Sequence, residues 1–396
     1  MARIRVKTKR PQRPQIALDR AGLPPAKRHT QIIVGNVLTA LRAIPDRTVQ
    51  SCITSPPYWA LRDYGGEEEQ LGLESTPQGY VDNMVKVFDE VHRVLRDDGT
   101  LWLNLGDSYF GDSNVRNNTQ ERTSHETPTK RSAGGNKRSA ASVDGIKPKD
   151  LVGIPWMTAF ALRNAGWYFR ADIVWAKNVV MPEPVKDRPT SAHEFMFLFA
   201  KQRKYYYDQE AVREVAQGQK RGQPDIERNQ RDVWNINPKP YKGAHFATFP
   251  TELVRGPIDA STSAKGACPE CRAPWKRIVE LVGGKTTGRG AASAAIAKKR
   301  GIRPRGGANY IVASTDVARH VTKGWEPTCE CGHPMEDNIP CIVLDCFGGS
   351  GTTAMVANAM GRDAVLCELN ATYAEDVARP RITKDAPFLN RVDILR

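Results

Sequence analysis

Apolar positions along this chain fall into short runs separated by stretches of helical spacing. Gln31-Ile32-Ile33-Val34 reads as a strand, followed by a short helix around Leu38–Ile44, and Val49–Ile53 reads as a second, buried strand. Over 80–96, Val81, Met84, Val85, Phe88, Val91, Val94 and Leu95 recur at steps of three and four, the pattern of an amphipathic helix that Asp97-Asp98-Gly99 stops. Thr100–Leu105 is the next strand, a helix near 150–164 closes at Gly166, and strands follow near 167–175 and 194–200. The last ordered unit, 341–380, runs from strand Ile342–Asp345 through a helix ending at Gly361 to strand Ala364–Cys367. Strands alternating with helices predict an α/β fold, a mostly parallel, doubly wound sheet with helices on both faces.

Between these units lie stretches that cannot build a core. Residues 111–147 contain no Phe, Trp or Tyr and read as a mobile loop, and 283–324 is rich in Gly, Ala, Lys and Arg. The 396-residue chain is 40% hydrophobic and 26% charged, and no run of 18 apolar residues suggests a membrane span. The basic start, MARIRVKTKRPQRPQ, lacks the apolar segment of a secretory signal. A cytoplasmic protein is expected, and its eight cysteines then read as thiols or metal ligands.

Charge is concentrated where order is weakest. Residues 1–30, 111–147 and 283–324 carry +8, +3 and +8, so the remainder is about −5 against a total of +14. Basic loops around an ordinary core suit phosphate contact and point to nucleic acid as a partner.

Two stretches carry candidate chemistry. After the strand Val49–Ile53 comes TSPPYWALRDYG, in which two prolines force the chain out of the sheet. Loops at the carboxyl ends of parallel strands are where such folds hold ligands. The second stretch is Asp345-Cys346-Phe347-Gly348-Gly349-Ser350-Gly351-Thr352-Thr353, whose glycines allow a sharp turn and a close approach to a ligand. Glu368 ends the next strand 23 residues after Asp345, the place of an acid that bonds ribose hydroxyls. No Lys follows these glycines and GxGxxG is absent, which argues against a triphosphate or pyrophosphate. A loop of form FxGxG fits a ligand with a ribose and no pyrophosphate, such as S-adenosylmethionine.

Ser55-Pro56-Pro57-Tyr58 upstream of Asp345-Cys346-Phe347-Gly348-Gly349-Ser350-Gly351 resembles the DNA amino-methyltransferases, which act on N4 of cytosine or N6 of adenine. Further matching stretches are Lys149-Asp150-Leu151, Trp175-Ala176-Lys177, His193-Glu194-Phe195 and His245-Phe246-Ala247-Thr248-Phe249-Pro250, so that the likeness covers roughly 31–110, 148–260 and 341–380. It implies a methyltransferase sheet that is circularly permuted in the β order, catalytic motif first and cofactor motif last. It further implies that Phe347, Gly349 and Gly351 line the methionine end of the cofactor, with Glu368 on the ribose. Asp345, Gly348 and Thr352 belong to the same cofactor segment. Asn36 of Gly35-Asn36 stands where relatives carry the Asp that contacts adenine, and Cys346 replaces a frequent proline.

The motif's composition suits its implied task. An exocyclic amine is a poor nucleophile because its lone pair is delocalised into the ring. The Ser55 hydroxyl and the Pro56 carbonyl are two acceptors for its hydrogens, Pro57 holds that carbonyl in direction, and Tyr58 is a platform for a base flipped out of the duplex. Ser in the first position is commoner among N4-cytosine members, and Asp or Asn among N6-adenine members. The resemblance thus points to N4 of cytosine in double-stranded DNA, with N6 of adenine as the alternative and a cognate restriction endonuclease as a possible partner. Other readings are an RNA or protein amide methyltransferase and a catalytically silent DNA-binding module. The device for carbon-5 methylation, a Pro-Cys loop, is discounted because Pro340-Cys341 begins a strand and so lies at the wrong end of the sheet.

Cys268-Pro-Glu-Cys271 and Cys329-Glu-Cys331 bracket the basic stretch with 57 residues between the pairs, a candidate structural zinc site closing a small module. The expected organisation is a basic arm (1–30), a catalytic half (31–177), a target-recognition region (178–245), a return to the core (246–260), an inserted basic, cysteine-containing module (261–340), a cofactor-binding half (341–380) and a tail (381–396).

Overall fold

Near-continuous apolar runs mark strands covered on both faces, and the two most enclosed lie side by side at the centre of one sheet. These are β2 (Val49–Thr54) and β11 (Ile342–Asp345), buried at every position. The computed structural model describes residues 28–60, 70–111, 145–216, 227–238, 249–282, 319–385 and 390–396. The main sheet also contains β1 (Arg28–Val34), β3 (Leu95–Leu105), β4 (Tyr168–Ala176), β5 (His193–Ala200), β8 (Val233–Asn235), β12 (Asp363–Glu368) and β13 (Asn390–Leu395). Its order is β13-β1-β12-β11-β2-β3-β5-β4-β8. Within this sheet only the pairs that β5 makes, with β3 and β4, are antiparallel, so the sheet is mostly parallel. Two short hairpins stand apart, β6 (Glu214–Val215) with β7 (Glu227–Arg228) and β9 (Lys276–Val282) with β10 (Arg319–Glu326).

Helices cover both faces. Successive strand residues point to opposite sides, and the core divides accordingly. Ile33, Cys52, Leu101, Leu344, Val365 and Phe197 pack under α1 (Val37–Ala43), α2 (Pro77–Val94) and α3 (Ile154–Asn164). Their neighbours Ile32, Ile53, Trp102, Val343, Leu366 and Met196 pack under α4 (Thr251–Ser261), α5 (Thr352–Ala359) and the segment from α6 (Ala371–Tyr373) to α7 (Arg379–Asp385). No described helix is long and apolar enough to cross a membrane.

The expected elements are present with shifted ends. α2 starts at Pro77, capped by Thr76 Oγ1 accepting from Gly79 N at 3.0 Å, and stops at Val94. Asp97-Asp98-Gly99 does not end it but lies within β3, where Gln50 O would sit 3.1 Å from a Cβ on Gly99. Residues 381–396 are not a simple tail. They finish α7 and supply β13, whose Val392 and Ile394 pack on the core beside β1. The region 178–245 is likewise not separate from the sheet, since β5 and β8 belong to it. Residues 1–27 of the arm, 112–144 of the loop, 283–318 of the basic stretch, 61–69 of the proline loop and His245–Thr248 lie outside the described residues.

Candidate active site at the carboxyl ends of the strands

Eight of the nine strands of the sheet run in one direction, and the two motifs occupy the neighbouring tips of β2 and β11. Thr54, the last residue of β2, donates its Oγ1 hydrogen to Asp345 Oδ1 at 2.7 Å, across 291 residues of sequence. Asp345, the last residue of β11, is 1% exposed, so its carboxylate lies beneath the cleft. Its Oδ2 accepts from Thr353 Oγ1 at 2.7 Å and its Oδ1 from Phe347 N at 3.1 Å. Burial pushes this carboxyl above the usual Asp range, while the Thr353, Thr54 and Phe347 donors counter the shift. Asp345 is thus the peg that joins the SPPY strand to the glycine loop.

The loop above it has to be glycine for identifiable reasons. A Cβ on Gly348 would meet Leu366 Cβ at 2.9 Å, and Gly351, at φ +76°, would meet Ile382 Cδ1 at 2.8 Å. Gly349 has φ +50° and donates its N–H to Glu368 Oε2 at 2.9 Å. Glu368 Oε1 accepts from Asn370 N at 3.0 Å, and Gly35 N donates to Glu368 O at 2.9 Å. The tips of β1, β12 and β11 are therefore tied together around one partly buried acid, whose pKa burial raises despite those N–H donors. Thr352 opens α5. Asn36 caps α1, its Oδ1 accepting from Leu38 N at 2.9 Å. It also borders a cavity of about 320 Å³ lined by Val37, Leu38, Leu71, Glu74 and Lys86.

These residues suit a nucleoside sulfonium. The loop offers backbone with no side chain in the way, and each Glu368 oxygen keeps acceptor capacity for a diol beyond its one backbone N–H. Asn36 follows Gly35, whose N–H donates to the Glu368 carbonyl, so its amide lies near the same strand tips.

Facing this loop, Ser55 is partly exposed and Pro56 is buried. Tyr80 Oη donates to the Pro57 carbonyl at 2.9 Å, which pins the second proline and, through the shared peptide, the direction of the Pro56 carbonyl. Tyr58 donates its phenol hydrogen to Glu194 Oε2 at 2.7 Å and to Asn104 Oδ1 at 3.2 Å. Burial, then the adjacent Glu194 carboxylate, pushes this phenol well above its usual pKa, so it remains a donor. Lys177 pairs with Glu194 and stacks its Nζ 4.3 Å from the Trp175 ring centre. The Tyr58 ring lies against Gly106, where a Cβ would come within 2.6 Å of Tyr58 Cε2.

Sequence reasoning found the two motifs and missed their supports. Thr54, Tyr80, Asn104 and Gly106 are not singled out by it, and Glu194 and Lys177 enter only within matching stretches, although a Lys and a Glu near the ends of two apolar strands are a signal of pairing. The four expected metal ligands are elsewhere. Cys268, Cys271, Cys329 and Cys331 place their sulfurs within 4.8 Å of one another, beside the amino ends of β2 and β3.

Comparison with known proteins identifies the family. A family model described as DNA methylase, of the N6/N4 type, matches residues 49–268 and 339–379. The chain is 49% identical over 242 residues to the Type II methyltransferase M.XycI of Xanthomonas campestris pv. cyanopsidis, covering 59% of this chain and 73% of the relative. It is 51% identical over 233 residues to the Type II methyltransferase M.Cfr9I of Citrobacter freundii, covering 58% and 71%. Among solved structures, the PvuII DNA methyltransferase (cytosine-N4-specific) aligns over 93% of this chain and 97% of that one, with TM-score 0.49 and 16% identity.

Proposed function

We propose, from the premise that this chain belongs to the N6/N4 DNA methylase family and is a DNA methyltransferase, that it modifies N4 of cytosine in double-stranded DNA with S-adenosylmethionine as donor. The observation that carries the reading is the Thr54–Asp345 bond, which sets Ser55 and Pro56 beside the glycine loop. Ser55 in the first motif position supports cytosine N4 over adenine N6.

The bound cofactor would supply an electrophilic methyl group on a sulfonium. Phe347, Gly349 and Gly351 hold its methionine end, Glu368 accepts from the ribose hydroxyls, and Asn36 meets the adenine edge. The target base leaves the duplex, since its amino group cannot be reached inside it. Tyr58 stacks on the base, held by Glu194 and Asn104 on one edge and by Gly106 against its face. The Ser55 hydroxyl and the Pro56 carbonyl accept hydrogen bonds from the amino group and draw its lone pair out of the ring. The nitrogen would thereby be held in line with the methyl carbon of bound cofactor; transfer would break the sulfur–methyl bond, leave the neutral thioether and release one amino proton to solvent, with positioning and electrostatics supplying most of the rate. Lys and Arg within 178–245 contact the duplex around the flipped base, and the enzyme protects its site against a cognate endonuclease.

The test is incubation with plasmid DNA and labelled cofactor, followed by nucleoside mass spectrometry. N4-methylcytosine is expected. N6-methyladenine would overturn the choice of base, and label in RNA or protein but not in DNA would overturn the substrate.

A further inference from the structure

The amino ends of the strands hold a second built site. We propose that Cys268, Cys271, Cys329 and Cys331 bind one zinc ion, and that this ion fastens the junction between the catalytic and cofactor halves without taking part in methyl transfer.

The donor set comes first. All four cysteines are free thiols, and their sulfurs lie within 4.8 Å of one another. Tetrahedral zinc with Zn–S near 2.3 Å spaces its sulfurs about 3.8 Å apart, so small side-chain rotations complete the site. The first pair sits on a tight turn in which Arg272 N donates to Cys268 O at 2.9 Å and Cys268 N donates to Ala273 O at 2.9 Å. Arg272 adopts φ +59° to make that turn. Four thiolates fill the coordination sphere and leave no position for water or substrate, so the ion is structural.

The need for a cross-link comes second. The β9–β10 hairpin that joins the two cysteine pairs exposes Ile278, Leu281, Val282 and Val321. Among the described residues this apolar surface stays in water, so a cross-link at the base would add stability. The family match covers 49–268 and 339–379, so most of this module lies between the matched segments.

Position decides the role. The Arg272 carbonyl accepts from Gln50 Nε2 at 2.8 Å, and Gln50 Oε1 accepts from Ile342 N at 2.7 Å. Gln50 is 3% exposed and Ile342 opens β11, so the cysteine turn touches the start of the β2–β11 pair through one buried side chain. Arg96 donates to the Cys271 carbonyl, and Ala267 and Ile339 exchange two backbone bonds of 2.8 and 3.0 Å. The direct β2–β11 register is only Val343 with Ser51 and Leu344 with Cys52. An ion fixing the turn therefore steadies the pairing whose other end carries Thr54 and Asp345. Gln50 lies four residues before Thr54, about 13 Å along the strand, too far for the ion to touch the reacting groups.

The experiment uses the full-length protein purified without chelator. Native mass spectrometry and elemental analysis should find one zinc per chain. A mercurial thiol reagent should release it, read with a chromophoric indicator. Cys271→Ser and Cys331→Ser should each lose the metal and lower the thermal midpoint, while the folded fraction keeps its cofactor affinity. If those variants do not fold, chelator treatment of the wild-type protein supplies the same comparison. Metal-free protein after growth in zinc, iron as the only metal, two disulfides by mass, or zinc retained in both variants would overturn the site. Loss of cofactor affinity at an unchanged thermal midpoint would overturn the assigned role. None of these outcomes bears on DNA methylation itself, which is read separately.

Discussion

At the carboxyl ends of β2, β11 and β12, buried and half-buried polar side chains bond one another and the backbone, with Thr54 and Asp345 meeting across 291 residues. At the amino ends of the same strands the links are a glutamine, two backbone carbonyls and a cluster of thiols. The first arrangement leaves acceptors aimed into a cleft, namely Ser55, Pro56 and Glu368. At the second, the Gln50 amide and the Arg272 and Cys271 carbonyls are taken up in bonds with each other, with Ile342 N and with Arg96. The difference teaches that chemistry and fastening are segregated along the strand axis, so damage to one end should be separable from damage to the other.

The sharpest way to break that separation is Ser55→Ala. Loss of one acceptor at the amino group should cut single-turnover methylation by about 10²–10³-fold, the scale of one preorganised partner in a transition state. Cofactor affinity by calorimetry and the thermal midpoint should not move, and an equal fall in rate and affinity would contradict the assigned role. Gly348→Ala comes next. Its Cβ would meet the Leu366 Cβ and Cys367 carbonyl of a buried strand, so the loop must shift. Cofactor affinity should fall about tenfold or more, equivalent to about 1.4 kcal/mol. Thr54→Val probes the peg itself. It removes a donor from a buried carboxylate at a cost of about 1–3 kcal/mol, and both the thermal midpoint and cofactor affinity should drop.

Acidity separates binding from folding at Glu368. Burial raises its pKa, and the Gly349 and Asn370 N–H groups lower it less. Below that raised pKa the carboxyl is neutral and a poorer acceptor for ribose hydroxyls. Cofactor affinity should therefore weaken on acidification at a pH above the usual Glu value of about 4.3. The stability contribution has the opposite sign. It is fully present below the unfolded pKa and is lost as pH rises through the folded one. Glu368→Gln should flatten both profiles, measured by calorimetry and by thermal melts across pH. The smallest expected effect is Tyr58→Phe. It keeps the ring and loses the bond to Glu194, so turnover should fall about fivefold or less, consistent with a net hydrogen bond of about 1 kcal/mol.

Much of the fold was legible because its signals are local. The alternation of apolar runs and helical periods placed β1, β2, β3, β5 and the cofactor unit, since burial on both faces of a parallel strand leaves an uninterrupted apolar run. Two features differ from the sequence reading. Asp97-Asp98-Gly99 carries the composition of a turn, yet the close approach of the Gln50 carbonyl draws it into β3. The last residues looked like a tail because β13 is short and half polar, and its pairing with β1 is decided by an edge left open far away in sequence. Asp345 is legible as part of the cofactor segment, but that its carboxylate bonds Thr54 and Thr353 was not, because that pairing depends on strands far apart in sequence.

By itself the sequence determined the chemical inventory: a hydroxyl, a rigid carbonyl and a ring in one loop, three glycines and an acid in another, and four thiols in two pairs. These follow from residue type and spacing, which no folding step alters. Only the tertiary structure decided which of them share a site. The parallel sheet set β2 beside β11, brought Glu194, Asn104 and Gly106 around Tyr58, and sent the cysteines to the opposite end. The reason is that strand order and direction are set by the packing of whole elements over long sequence separations, information that no short stretch contains.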